Sequence, residues 1–141
     1  NFSQYLLIIV FFLSPVFLYI NATHYIDPFR FEMIDIKKDL VRGNKKTIKQ
    51  AIKYIKKNDM QSYNILIKNV DRIAEKYCIV ADHMTHRDEY IAGLDLPGCY
   101  VRGSKTIYLL PSKVENPNFI KQRAETITKM AKLSREYWKT R

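Results

Sequence analysis

The chain has 141 residues, with 24 Lys and Arg against 14 Asp and Glu and a formal net charge of +10. That length suits one domain plus the hydrophobic start. The absence of a Gly/Ser linker, low-complexity tract, acidic tail or repeat excludes a tethered multidomain or repeat architecture.

From Asn1 to Ile26 there is no Lys, Arg, Asp or Glu, and Tyr5 to Ile20 read YLLIIVFFLSPVFLYI, interrupted only by Ser14 and Pro15. A helix needs roughly 20 such residues to cross a hydrocarbon core of about 30 Å. Tyr5, Tyr19 and Tyr25 are placed as interfacial anchors. Residues 1–26 are therefore read as a single-pass membrane anchor contacting lipid, ahead of a small soluble basic domain over residues 27–141. A signal segment and a buried core helix are the alternatives, but Leu18-Tyr19-Ile20 before Asn21-Ala22-Thr23 fits a small-residue cleavage site poorly. Pro15 is tolerable in a membrane helix where Ser14 takes up the carbonyl that proline frees.

Orientation is pulled both ways. Every Lys and Arg follows the apolar segment, which by the positive-inside rule favours a cytoplasmic C-terminal part. Cys78 and Cys99, the only two cysteines, bracket 20 residues, and closing that loop would stabilise by ~3 kcal/mol through chain entropy. Two unrelated buried thiols are the plain alternative to a bridge. Asn21-Ala22-Thr23 also matches the N-x-T glycosylation triplet. These features tip the expectation towards an extracytoplasmic domain.

Asp27-Pro28 marks a break, because the residue before a proline avoids the helical region. Phe29 to Leu40 reads equally as a short helix or an extended lead-in. Gly43-Asn44 is turn-like, and Asn44 is a natural N-cap for a helix over 45–57 with Ile48, Ala51, Ile52 and Ile55 on one face. Asn58-Asp59 ends that helix and caps the next, expected over 60–77 with Tyr63, Leu66, Ile67, Val70, Ile73, Ala74 and Tyr77 as its stripe. The short connection makes the pair an αα-hairpin.

After an irregular stretch, Cys99-Tyr100-Val101 and Thr106-Ile107-Tyr108 read as a β-hairpin. Its register pairs Val101 with Thr106, Tyr100 with Ile107 and Cys99 with Tyr108, around a two-residue type II′ loop at Gly103. Asn116-Pro117 then opens the last helix, Asn as cap and Pro in the first turn. Ile120, Ala124, Ile127, Ala131, Ser134 and Trp138 form its apolar stripe, flanked by Met130, Leu133 and Tyr137, and its remaining positions read as surface. The fold class is α+β and mostly helical: transmembrane helix, αα-hairpin, one β-hairpin and a C-terminal amphipathic helix.

Few residues offer chemistry. His83 and His86 are three apart, with Asp82, Asp88 and Glu89 nearby. Imidazole and carboxylate suit zinc or another divalent ion, yet two histidines without a fixed third ligand fall short of a zinc site, and a solvated polar loop is the plainer reading. A strand beside a helix is also how zinc peptidases present H-E-x-x-H, but Ala124-Glu125-Thr126-Ile127-Thr128 fills neither histidine position. No nucleophile elbow, Walker loop or dinucleotide fingerprint occurs, so neither a catalytic set nor a resident cofactor is expected.

Charge is the stronger signal. Between Lys37 and Lys57 stand nine Lys and Arg and one acid, Asp39. Lys45, Lys49, Lys53, Lys56 and Lys57 form the candidate anionic-surface face, for lipid headgroups if the face is cytoplasmic or for an anionic wall polymer, with a plain solvated lysine face as the alternative. Nucleic acid is disfavoured because its binders mix arginine and exposed aromatics among the lysines. The expected function is a membrane-anchored, extracytoplasmic binding or structural module. One alternative is a filament subunit, a homo-oligomer assembled through the apolar helix, although Tyr5 stands where pilin-like helices carry glutamate. The other is an envelope metal-dependent hydrolase, or a fragment of one, using His83 and His86.

Overall fold

The structure, a computed structural model, describes residues 2–78, 91–92, 97–101 and 103–139. His83 and His86 lie outside the described residues. Helix α1 (Phe2–Thr23) buries none of its side chains and touches the rest of the chain mainly at β1 (His24–Asp27) and β2 (Glu32–Lys37), and at Lys49. Pro15 lies within it, and Ser14 Oγ donates to the Phe11 carbonyl at 3.4 Å. That carbonyl is the acceptor a non-proline residue 15 would have used.

Beyond α1 the described residues form one mixed sheet in the order β1-β2-β3-β6-β5-β4, where β3 is Arg72–Glu75, β4 Ile91–Ala92, β5 Gly98–Val101 and β6 Thr106–Leu109. β2, β3 and β6 are mutually parallel, and the flanking pairs are antiparallel. Helices α2 (Lys45–Asn58) and α3 (Met60–Asn69) form the crossover from β2 to β3, and α4 (Pro117–Lys139) packs on both of them and on β5 and β6. The protein is thus mixed α+β with an N-terminal apolar helix. The αα-hairpin, the β5–β6 hairpin and the C-terminal helix are all present.

Register explains the core. Ile36, Ile73, Ile107 and Tyr100 are successive Cα partners across four strands, and all four are buried. Side chains alternate across a strand, so this row faces the helices. It meets Ile48, Ile52 and Ile55 of α2, Tyr63 and Leu66 of α3, and Ile127 and Met130 of α4 in one cluster. Burying a side chain of this size contributes about 1.5–3 kcal/mol. At Gly98 an added Cβ would lie 2.7 Å from the Tyr108 carbonyl oxygen and 2.9 Å from Thr126 Cγ2, so the absence of a side chain is what lets α4 sit this close to the sheet.

The helix ends follow the caps. Asn44 Oδ1 accepts from Lys46 N and Thr47 N. Asp59 closes α2 with its own N–H on Ile55 O and caps α3 by accepting from Ser62 N. Asn116 Oδ1 accepts from Phe119 N at 2.8 Å.

Three expectations are corrected. The apolar helix ends at Thr23, and Tyr25, expected as an interfacial anchor, is buried in β1. The helix expected over 60–77 stops at Asn69, since Val70 adopts extended angles (φ −122, ψ 122), and residues 72–75 become β3, flanked by β2 and β6. The hairpin register is as expected, but Lys105 has φ 47, whereas a type II′ loop leaves its closing residue extended. The left-handed Lys105 turns its carbonyl onto Asp71 N (3.0 Å) and Arg72 N (3.4 Å), joining the hairpin turn to the start of β3. The ambiguous stretch after Pro28 resolves as a turn followed by β2.

Candidate functional site

Where α1 leaves the domain, basic side chains from three elements converge on one recess. His24 pairs with Asp35 across β1 and β2, so the C-terminal end of β2 at Lys37 lies beside the last turn of α1. Tyr19 and Thr23 of α1 line a recess together with Lys37 of β2, Lys45 of α2 and Arg72 of β3. Lys49 donates to the carbonyl of Asn21, which lies in α1's last turn, where a cation is favoured by the helix dipole. The Lys49 ammonium is held below its ordinary pKa, chiefly by burial and then by repulsion from Lys45 and Lys53. Like charges thus face one another along this side of α2. Arg72 is neutralised by Asp35, whose Oδ2 lies 2.8 Å from Nε.

Of the five lysines singled out by sequence, Lys45, Lys49 and Lys53 share that row, and Lys57 is exposed in the last turn of α2. Lys56 does something else. Its ammonium lies 3.0 Å from Oδ2 of Asp27, which is fully buried. The same oxygen accepts from Tyr63 Oη at 2.6 Å, Oδ1 accepts from Phe29 N at 3.1 Å, and Tyr25 Oη lies 3.1 Å from Tyr63 Oη. The Tyr63 hydrogen bond is the main cause holding the Asp27 carboxyl down at about 2, with Lys56 and the Phe29 amide adding to it against burial. Burial, then the bond to Asp27, pushes Tyr63 upward. This network fastens β1, the first strand after the apolar helix α1, to the αα-hairpin.

Asp27 is more acidic folded than unfolded, so its stabilisation is complete above its ordinary pKa of 3.8 and is lost as pH falls through about 2. Asp27→Asn is expected to lower Tm at pH 6, with the gap to the parent chain narrowing as both are melted down to pH 2. A gap that stays constant over that range would contradict the assignment.

A second buried network ties the basic loop to α4. Arg123 donates through Nη2 to Glu75 Oε1 and to the Leu110 carbonyl at 3.0 Å, and through Nη1 to Thr47 Oγ1 at 3.1 Å. Glu75 Oε2 accepts from Asn44 N (2.8 Å) and Asp39 N (3.2 Å), which closes the 39–44 loop over the end of β3. An added Cβ on Gly43 would collide with Glu75 Oε2 and with the Asp39 backbone, so this loop needs glycine there.

Cys78, just beyond β3, and Cys99 of β5 are joined by a disulfide with Cα atoms 6.0 Å apart. Beside α4, Leu109, Leu110, Pro111, Phe119 and Met130 contribute to a largely apolar cleft of ≈ 430 Å³. Among the described residues no three His, Cys, Asp or Glu side chains gather as a metal site. Sequence reading missed both buried networks: Asp27 sits beside a proline and Arg123 on a helix, places where charged residues are ordinarily solvated. No family model, curated protein or solved structure matches this chain.

Proposed function

We propose that the protein is a single-pass, membrane-tethered binding module whose α+β domain is carried outside the cytoplasm. The observation that carries the reading is α1: 22 residues, apolar, continuous with the domain and with no residue buried against it. At about 1.5 Å per residue such a helix matches a hydrocarbon core of about 30 Å. The domain meanwhile closes its own core without help from α1, so the apolar helix is free to serve as an anchor. The disulfide supports the outward placement, since such bonds persist in oxidising compartments.

Binding surfaces fit this arrangement at both ends of the β1–β2 hairpin. The end beside α1 carries the lysine row. The opposite turn carries Phe29 and Phe31, 89% and 93% exposed. Labelling of an introduced surface thiol in intact cells tests the topology on which the proposal depends.

A further inference from the structure

The loop between β2 and α2, residues 38–44, sits at the α1 end of the sheet and holds Leu40 92% and Val41 72% exposed. It is firmly built. Asp39 Oδ1 accepts from Val41 N (3.0 Å) and Arg42 N (2.7 Å), Gly43 N bonds the Asp39 carbonyl at 3.1 Å, and Glu75 holds both ends of the loop from below. A turn fixed this way cannot fold Leu40 and Val41 back onto the core. Lys37, Lys38 and Arg42 are exposed around them, and Lys38, Lys45, Lys46 and Lys113 line an adjoining recess. Four acids share this end, of which Asp35 is paired with Arg72 and Glu75 with Arg123. The Asp39 carboxylate is turned onto backbone amides, and Glu115 lies 3.8 Å from Lys46. The positive excess is therefore not cancelled.

We infer that this end of the domain docks on the bilayer that α1 crosses, with Leu40 and Val41 entering the headgroup layer and the surrounding lysines binding the phosphates of anionic phospholipids. Two exposed apolar side chains inside a cationic ring match the chemistry of an anionic lipid surface, in which apolar burial and charge attraction add. α1 leaves the domain at this same end, so no long linker has to be spanned. Each cation near an anionic surface contributes about fivefold to the docked over undocked ratio. The inference rests on the membrane-tethered reading above and goes beyond it by fixing which surface faces the lipid.

The test uses the full chain in vesicles of zwitterionic phospholipid alone or with one third anionic phospholipid. An environment-sensitive dye is attached at Val41→Cys, or at Phe29→Cys on the opposite turn, with the native disulfide intact. The expected result is a blue-shifted, lipid-quenchable emission from position 41 in anionic vesicles only, and a water-exposed emission from position 29. Lys37→Gln with Lys38→Gln should then lower the docked ratio by roughly 25-fold, that is about fivefold for each cation, whereas Lys129→Gln with Lys132→Gln, beside the far end of α2, should leave it unchanged. Water-exposed emission from position 41 in both vesicle types overturns docking, and equal blue shifts in both overturn the anionic preference. A chain that fails to float with either kind of vesicle overturns the membrane tether itself.

Discussion

Arg123→Leu is expected to destabilise the domain by about 3–5 kcal/mol, the cost of leaving one member of a buried ion pair without its partner. Arg123 is 4% exposed and Glu75 5%, so water cannot take over the bonds that Arg123 makes to Glu75, Thr47 and the Leu110 carbonyl. A loss of that size is a large share of the 5–15 kcal/mol that typically holds a domain together. Glu75→Gln should cost less, because the amide oxygen still accepts from Asp39 N or Asn44 N while the Arg123 charge loses its counter-ion. Thermal and urea unfolding of the two variants give the comparison. A change below 1 kcal/mol for Arg123→Leu would mean that the pair is not buried as described.

Removal of the Cys78–Cys99 bridge is expected to cost ~3 kcal/mol, because the cross-link closes a loop of about twenty residues in the unfolded chain. Reduction of the native chain, or Cys78→Ser with Cys99→Ser, should lower the urea midpoint without changing the sheet's circular dichroism at low denaturant. The core row Ile36-Ile73-Ile107-Tyr100 does not involve either cysteine, so the fold itself should survive. An unchanged midpoint on reduction would show that the two cysteines are not bridged in solution.

What was legible in the sequence was local chemistry. Asn44, Asp59 and Asn116 could be read as caps because a side-chain oxygen two or three residues before a free amide is a property of the chain alone. The pairing of Val101 with Thr106 followed from a turn signal between two apolar runs. The boundary between α3 and β3 was not legible. Val70, Ile73, Ala74 and Tyr77 recur at i, i+3, i+4 and i+7, which is the pattern of a helix face. A strand in the parallel part of a sheet, buried on both sides, also lacks the alternation that would distinguish it. The choice was made by tertiary pairing: Arg72 to Glu75 find partners on β2 and on β6, and neither partner is adjacent in sequence.

The candidate site divides in the same way. The lysine row of α2 was visible as a periodicity, but the departure of Lys56 towards Asp27 was not, since the two meet 29 residues apart in the chain. Arg123 falls among the polar positions of an amphipathic helix and reads as surface until Glu75 is placed beneath it by β3. Leu40 reads only as the end of a mixed lead-in and Val41 belongs to no periodic segment; their significance comes from the Asp39 turn that holds them outward and from the exit of α1 at the same end.

Membrane topology is the point on which the functional account stands. Cys99 is fully buried and Cys78 8% exposed, so the native bridge leaves no thiol on the surface, and Lys121→Cys on the exposed side of α4 supplies one. Intact cells expressing the full chain are treated with a membrane-impermeant maleimide before and after permeabilisation. The account predicts full labelling of position 121 in intact cells, in a protein that stays with the membrane after alkaline washing. Labelling that appears only after permeabilisation would place the domain in the cytoplasm and contradict it, and release by the alkaline wash would remove the anchor as well.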